Sequence, residues 1–192
     1  MRAQPRPPGA LTARLPGSCA ARCYRVVAGT DERINMVKAQ RIAGGASTTY
    51  VAVLDQGEEA FSALADWAVS QAISAAQVTA VGAFERATVG WFDRVIRDYQ
   101  RIEIDEQCEV LSLIGDIALG APGEGDGQPQ PHLHAVLGLR DGTTRGGHLL
   151  AGIVWPTLEV VIREAPAELR KTHRPDVGLA LIDLGARQQL PG

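Results

Sequence analysis

Two apolar runs joined by an Asp-Gly turn constrain the fold of this chain more than any other feature. Residues 132–139 (HLHAVLGL) and 147–155 (GHLLAGIVW) are typical of strands, and Asp141-Gly142 between them is typical of a tight turn. The pattern predicts an antiparallel hairpin. Because successive side chains of a strand alternate between its two faces, His132 and His134 should project from the same face.

The length of the turn decides where His148 lies. A two-residue turn would pair His134 with Leu149 and would send His148 to the opposite face. A three-residue loop, Arg140-Asp141-Gly142, would instead place His148 directly opposite His134. A longer loop of odd length, or a bulge just before His148, would restore the same match. We predict the three-residue loop, with Gly142 in the left-handed conformation.

Three imidazoles on one patch would suit a divalent metal ion. Zn²⁺ is the leading candidate because it accepts histidine nitrogens and can keep a fourth position open to water. The alternative is that His132, His134 and His148 are ordinary hydrogen-bonding residues of a hairpin. The sequence contains no Gly-x-Ser-x-Gly elbow and suggests no organic cofactor, so it identifies no catalytic residue. Whether the protein is an enzyme stays open at this point.

The remaining body reads as many strands and one clear helix. Residues 58–74 place their apolar side chains on one stripe, which predicts a helix, and Asp55 with Glu58 resembles a capping box at its start. Recurrent Gly and Pro predict a loop at 121–131, and residues 166–173 suggest a helical turn. Further strands are predicted at 49–57, 77–85, 87–93, 106–119, 157–164 and 179–184, with 94–104 a strand or irregular edge. The predicted fold class is therefore α+β, a largely antiparallel sheet with flanking helices in one compact domain.

Charge divides the chain near residue 35. Residues 1–35 carry six Arg against two acidic residues, a net of +4, whereas residues 36–192 carry 13 Lys and Arg against 20 Asp and Glu, a net of −7. The first segment is rich in Arg, Pro and Gly, and its apolar residues follow neither a helical nor a strand period. We therefore predict that it is a disordered, dispensable leader; the alternative is that translation begins at Met36. Residues 36–192 are predicted to form a single domain. Its acidity argues against attraction to DNA phosphates.

Cysteine content and hydropathy indicate a compartment. The chain has three Cys, an odd number that argues against a disulfide framework and favours a reducing, cytoplasmic environment. No run reaches the ~18 apolar residues of a membrane span, so we expect no membrane partner.

Three blocks of the sequence resemble the plant-and-prokaryote-conserved (PPC) domain family, over roughly residues 51–184. They are Glu109-Val110-Leu111-Ser112-Leu113 followed by Gly115, Pro131-His132-Leu133-His134, and Gly146-Gly147-His148-Leu149 followed by Gly152. The last two blocks resemble those of the bacterial and archaeal members of the family. Gln107-Cys108 stands where plant members usually have Arg-Phe, which argues against transferring the plant function to this chain. The resemblance implies a compact domain with a central antiparallel sheet that assembles as a homotrimer. It also implies a metal site, because prokaryotic members are similar in these histidines, which can hold a metal.

The resemblance leaves three functional hypotheses. The first is a trimeric protein whose histidine metal site serves small-molecule binding or a metal-dependent activity. The second is a DNA-binding, transcription-associated protein, because the family is conventionally described in that way and its plant members carry AT-hooks before the domain. The third is a structural interaction module. The acidic body and the lack of an Arg-Gly-Arg-Pro hook favour the first hypothesis.

Overall fold

The fold is a nine-stranded sheet with one helix, in a computed structural model that describes residues 37–43 and 47–185. The strands are β1 (Lys38–Ala43), β2 (Thr49–Asp55), β3 (Ala75–Asp93), β4 (Asp98–Ile104), β5 (Cys108–Ala121), β6 (Glu124–Gly138), β7 (Thr144–Glu164), β8 (Arg170–Arg174) and β9 (Leu179–Asp183), and the helix is α1 (Ala60–Ser70). The sheet order is β1-β2-β7-β3-β5-β8-β9; β4 pairs with β3, and β6 pairs with both β5 and β7. Neighbouring strands are antiparallel, apart from a single parallel bridge between β5 and β8.

Four of the long strands close into a ring that holds the core. Strand β3 pairs with β5 and β7, and β6 pairs with the same two strands. Inside the ring the side chains are aliphatic and aromatic, and α1 packs on β6 and β7. Fully buried members of this core include Phe84, Leu113, Leu133, Leu149 and Leu158. Residues that alternate with them along the strands therefore face outward, and the three histidines are among these.

Helix α1 begins at a cap that differs from the predicted one. Glu59 is the N-cap, and its carboxylate accepts hydrogen bonds from the backbone N–H groups of Phe61 at 3.2 Å and Ser62 at 2.8 Å. The predicted capping box between Asp55 and Glu58 is wrong as a helix start. The Glu58 carboxylate does accept from the Asp55 N–H, but Asp55 ends β2, so this bond closes the turn between β2 and the helix.

The fold class is mostly β, which corrects the predicted flanking helices. Within residues 37–43 and 47–185, α1 is the only helix, and it is 11 residues long. The helical turn predicted at 166–173 is wrong, because β8 occupies part of this segment and pairs with β9. His173 consequently lies in a strand, opposite Ala180. Pairing with the following strand, and the bridge between Arg170 and Leu119, outweigh local helix propensity here.

The loop predicted at 121–131 is also wrong, because β6 runs through most of it. Only Pro122 and Gly123 form the turn after β5, and pairing with β5 resumes at Glu124 and Gly125. Gly125 and Gly127 have φ values of +100° and +75°, so the strand bends between its pairing with β5 at Gly125 and its pairing at Pro129. Glycine and proline that mark a bulged hairpin give the same sequence pattern as a loop.

Two long strands replace pairs of predicted short ones. The runs predicted at 77–85 and 87–93 belong to β3, and those at 147–155 and 157–164 belong to β7. The predicted breaks are instead register shifts in the β3–β7 ladder, for example between Gly82 and Phe84. Strand β1 was not predicted. The leader, residues 1–35, and Met36 lie outside the described residues, so their predictions stay untested. Within the described residues, α1 lacks the length and apolar character needed to cross a bilayer.

Candidate metal centre

The turn between β6 and β7 has the predicted three-residue form. The Leu139 N–H donates to the Thr143 carbonyl at 2.8 Å, and the Gly142 N–H donates to the Leu139 carbonyl at 2.9 Å. Gly142 has φ +83°, the left-handed conformation that the loop requires. The Asp141 carboxylate accepts from the Thr143 N–H at 2.9 Å and its hydroxyl at 2.7 Å, and these bonds lower the pKa of Asp141. The loop is thus fixed by its own side chains, and it sets the register of the hairpin.

This register brings the three histidines together, as predicted. His134 lies directly opposite His148 across the β6–β7 ladder, and His132 projects from the same face of β6. Leu133 and Leu149, next to the histidines in sequence, are fully buried in the core. The three ring pairs have centroid separations of 5.2, 5.2 and 5.3 Å. One nitrogen from each ring lies within 4.8 Å of the others.

Two of these nitrogens already have a spacing that suits a tetrahedral metal ion. The Nε2 atoms of His132 and His134 are 3.3 Å apart. Zinc–nitrogen bonds of ~2.0–2.1 Å at tetrahedral angles place two ligand nitrogens ~3.3–3.4 Å apart. The widest separation in the group, up to 4.8 Å, exceeds this value, so closure around an ion requires one ring to shift. Rotation about the side-chain torsions of a histidine is sufficient for a shift of this size.

The electrostatic environment favours the neutral, ligating form of His134 and His148. Burial, followed by the charges of His132, His134 and Lys171, lowers the pKa of His148 to about 4. Burial and then the charge of His132 lower the pKa of His134, while Asp116 opposes the shift. Neutral imidazole is the form that binds a metal ion. The Nδ1 atom of His148 is buried without a hydrogen-bond partner in the described residues, a cost that a ligand at this site could offset.

The Asp116 carboxylate lies next to His132, one of the candidate metal ligands. It lies opposite His132 in the β5–β6 ladder, and its Oδ2 is 3.5 Å from His132 Nδ1. A carboxylate next to Nδ1 favours the tautomer that leaves the Nε2 lone pair free for a metal ion. The other carboxylate oxygen, Oδ1, is buried without a hydrogen-bond partner in the described part of the chain. Sequence reasoning missed Asp116, because its register depends on a bulge near Leu119.

The ring of Tyr99 packs against the ring of His148. Their rings are stacked, with centroids 4.8 Å apart and planes inclined by 21°. Tyr99 reaches this position across Gly90, which pairs with His148 in the β3–β7 ladder. A β-carbon added to Gly90 would come within 2.7 Å of the Tyr99 ring, so a larger residue would displace the tyrosine.

Three solved structures share this fold. A candidate DNA-binding protein from Bacteroides thetaiotaomicron is 27% identical, with a TM-score of 0.68, over 78% of this chain and 98% of its own. A plant- and prokaryote-conserved protein from Pyrococcus horikoshii is 25% identical, with a TM-score of 0.66, over 81% and 100%. A metal-containing protein from Archaeoglobus fulgidus is 26% identical, with a TM-score of 0.64, over 77% and 99%.

The sequence is also similar to one characterised protein and to one domain family. The bifunctional protein GlmU of Synechococcus sp. (strain JA-3-3Ab) is 29% identical over 147 residues, which are 76% of this chain but 21% of that protein. The chain thus spans about a fifth of that relative, whose overall activity does not carry over. The Plants and Prokaryotes Conserved (PCC) domain matches residues 41–166, which include all three histidines. This protein therefore belongs to the Plants and Prokaryotes Conserved domain family.

Proposed function

We propose that this protein binds one divalent metal ion, with Zn²⁺ as the first candidate, through His132, His134 and His148. The observation that carries the proposal is the convergence of three imidazoles on one face, with nitrogens within 4.8 Å of one another. The relative from Archaeoglobus fulgidus, described as a metal-containing protein, supports it. Three neutral histidines are a frequent ligand set for Zn²⁺ that keeps a fourth position open.

The residues around the histidines define what such a site could do. When bound, the ion would supply a Lewis acid that can hold a small molecule or activate a water. Asp116 orients His132, and Tyr99 packs against His148, so two of the three rings are supported by neighbouring side chains. His134 is exposed and gives solvent access to the patch. The proposed function is therefore small-molecule binding or a metal-dependent activity at the outer face of the sheet.

Calorimetric titration of Zn²⁺ into untagged, metal-free protein tests the proposal. We expect one ion per chain for the wild type, and loss of most of the affinity in His134→Ala and His148→Ala. His173→Ala is the matched control, because it removes the fourth histidine of the chain from a strand outside the site. Equal Zn²⁺ binding by the wild type and both site variants would contradict the proposal. Uptake that is lost only in the His173 variant would place the metal elsewhere.

We also propose that the protein assembles as a homotrimer. The support is the family resemblance and an apolar group on the same outer face as His134. Leu111, Ile114 and Val136 on β5 and β6 are 55%, 56% and 44% exposed. Ile114 lies directly opposite His134 in the β5–β6 ladder. Side chains of this size tend to be covered in the working form of a protein.

The DNA-binding hypothesis is the alternative. It rests on relatives such as the candidate DNA-binding protein from Bacteroides thetaiotaomicron. The net charge of −7 over residues 36–192 opposes it, since binding to duplex DNA draws on Lys and Arg that release counterions from the phosphates. A purely structural interaction module would use the same apolar face without the metal.

A reducing, cytoplasmic location is proposed with the function. Within the described residues Cys108 is unpaired and buried, and burial raises the pKa of its thiol to about 11. A thiol in this environment is held in its protonated, unreactive form at neutral pH.

A further inference from the structure

Lys171 is a buried cation beside the histidine patch, and the proposed function leaves it unused. It lies on β8, which meets β5 through the bridge between Leu119 and Arg170, and it is only 8% exposed. Its Nζ donates to the Gln130 carbonyl at 3.4 Å. Gln130 precedes His132 by two residues on β6, a distance of about 6.6 Å along a strand. The ammonium group therefore lies at the end of the patch that His132 occupies.

Electrostatic coupling supports this placement. Burial lowers the pKa of Lys171, and the Asp116 carboxylate opposes that shift by favouring the charged ammonium. Asp116 in turn has its Oδ2 3.5 Å from His132 Nδ1. Lys171, Asp116 and the histidines thus share one partly buried region.

The Lys171 ammonium has hydrogen-bonding capacity to spare. Among the described residues, the Gln130 carbonyl is its one acceptor, and no carboxylate lies within ion-pair distance of it. An ammonium group has three N–H donors, so two are left for other partners. Lysine is rarely buried without a paired acceptor, because removing its charge from water is costly.

The charges in this region would be unbalanced once a metal ion is bound. The ion contributes +2, Lys171 +1 and Asp116 −1, which sum to +2 when the three imidazoles are neutral. Two cations in a partly buried site repel each other strongly. An anion between them would relieve the repulsion and accept the spare N–H bonds of Lys171.

We propose that Lys171 and the histidine-bound metal ion together form a binding subsite for a small carboxylate anion. This inference rests on the proposed metal site and names the class of molecule that the site takes. One carboxylate oxygen would be drawn to the ion and the other to the Lys171 ammonium. Charge-assisted bonds of this kind are the stronger class of hydrogen bonds in proteins.

Co²⁺-substituted protein provides a direct test. Its visible absorption reports both the metal ligands and any anion that joins them, independently of catalysis. Sodium acetate would be titrated at constant ionic strength, with acetamide as the uncharged molecule of the same shape. We expect acetate to change the spectrum in a saturable way and acetamide to leave it unchanged.

Substitution of Lys171 then tests carboxylate binding separately from metal binding. Lys171→Met should weaken acetate binding by about tenfold or more, because one charge-assisted bond is lost, while Co²⁺ affinity is equal or tighter because a like charge is gone. Lys171→Gln, which keeps a donor for Gln130, is the second variant should the first fail to melt cooperatively. Arg170→Met is the matched control. It removes a cation from the neighbouring position, whose side chain is 58% exposed, and should leave acetate binding unchanged.

The possible failures are distinguishable. Protein that takes up no Co²⁺ overturns the proposed function itself. Protein that binds Co²⁺ normally but shows equal acetate affinity in the wild type and both Lys171 variants overturns the carboxylate subsite alone. Equal binding of acetamide and acetate would also overturn it, since the ligand's charge would then play no part.

Discussion

Replacing Asp116 with Asn should weaken metal binding while it leaves the fold intact. Asp116 Oδ2 is 3.5 Å from His132 Nδ1, and the side chain is 30% exposed. An amide at this place is nearly the same size but carries no charge. Its NH₂ group could also donate to Nδ1, which would stabilise the tautomer whose Nε2 carries a proton and cannot bind a metal ion. Loss of a carboxylate behind a histidine ligand typically reduces metal affinity by 10–100-fold, or ~1.4–2.7 kcal/mol.

Competition with a chromophoric chelator at neutral pH would measure this loss. Glu109→Gln is the control, because Glu109 is an exposed carboxylate on the same strand, opposite Gly138 and away from the histidines. We expect its Zn²⁺ affinity to stay close to that of the wild type. The reasoning is refuted if Asp116→Asn binds Zn²⁺ as tightly as the wild type. It is equally refuted if both variants lose affinity alike, since general charge would then explain the effect.

Three further predictions concern acid, assembly and DNA. In the metal-free protein burial lowers the pKa of His148 to about 4, below the ordinary histidine value of 6.5, so between these pH values the unfolded chain binds a proton that the folded chain does not. The thermal midpoint should therefore fall as pH drops from about 6.5 towards 4, and His148→Phe should flatten that dependence; identical pH profiles would count against it. Light scattering at micromolar concentration should give three times the chain mass of 20.4 kDa, and a mass of 20.4 kDa would exclude the trimer. A protein that starts at Met36 should keep its cooperative melting and bind duplex DNA no better than other acidic proteins do, whereas tight binding that weakens steeply with salt would restore the DNA hypothesis.

The hairpin was predictable from sequence because its determinants are local. The alternation that puts His132 and His134 on one face is a property of any strand. The position of His148 follows from the number of residues in the turn, and Gly142 and Asp141 supply the chemistry that the three-residue loop needs. Each of these features acts over a few residues. Such short-range rules do not depend on the rest of the fold.

The supporting residues were not predictable, because they come from three other strands. Asp116, Tyr99 and Lys171 lie on β5, β4 and β8, and their positions depend on registers set by bulges and by distant pairing. The glycine-rich segment after β5 gave the pattern of a loop, so the sequence offered no basis for pairing Asp116 with His132. In the same way, the segment of Lys171 was predicted to be helical and became a strand through its pairing with β9.

The central claim is that the register of one hairpin builds a metal site from three histidines. A crystal structure of the untagged protein soaked with Zn²⁺, with anomalous data collected on both sides of the zinc absorption edge, tests this most directly. We predict one anomalous peak per chain, bonded to nitrogens of His132, His134 and His148 at ~2.0–2.1 Å. The absence of a peak between these rings, or a peak held by other side chains, would contradict the claim.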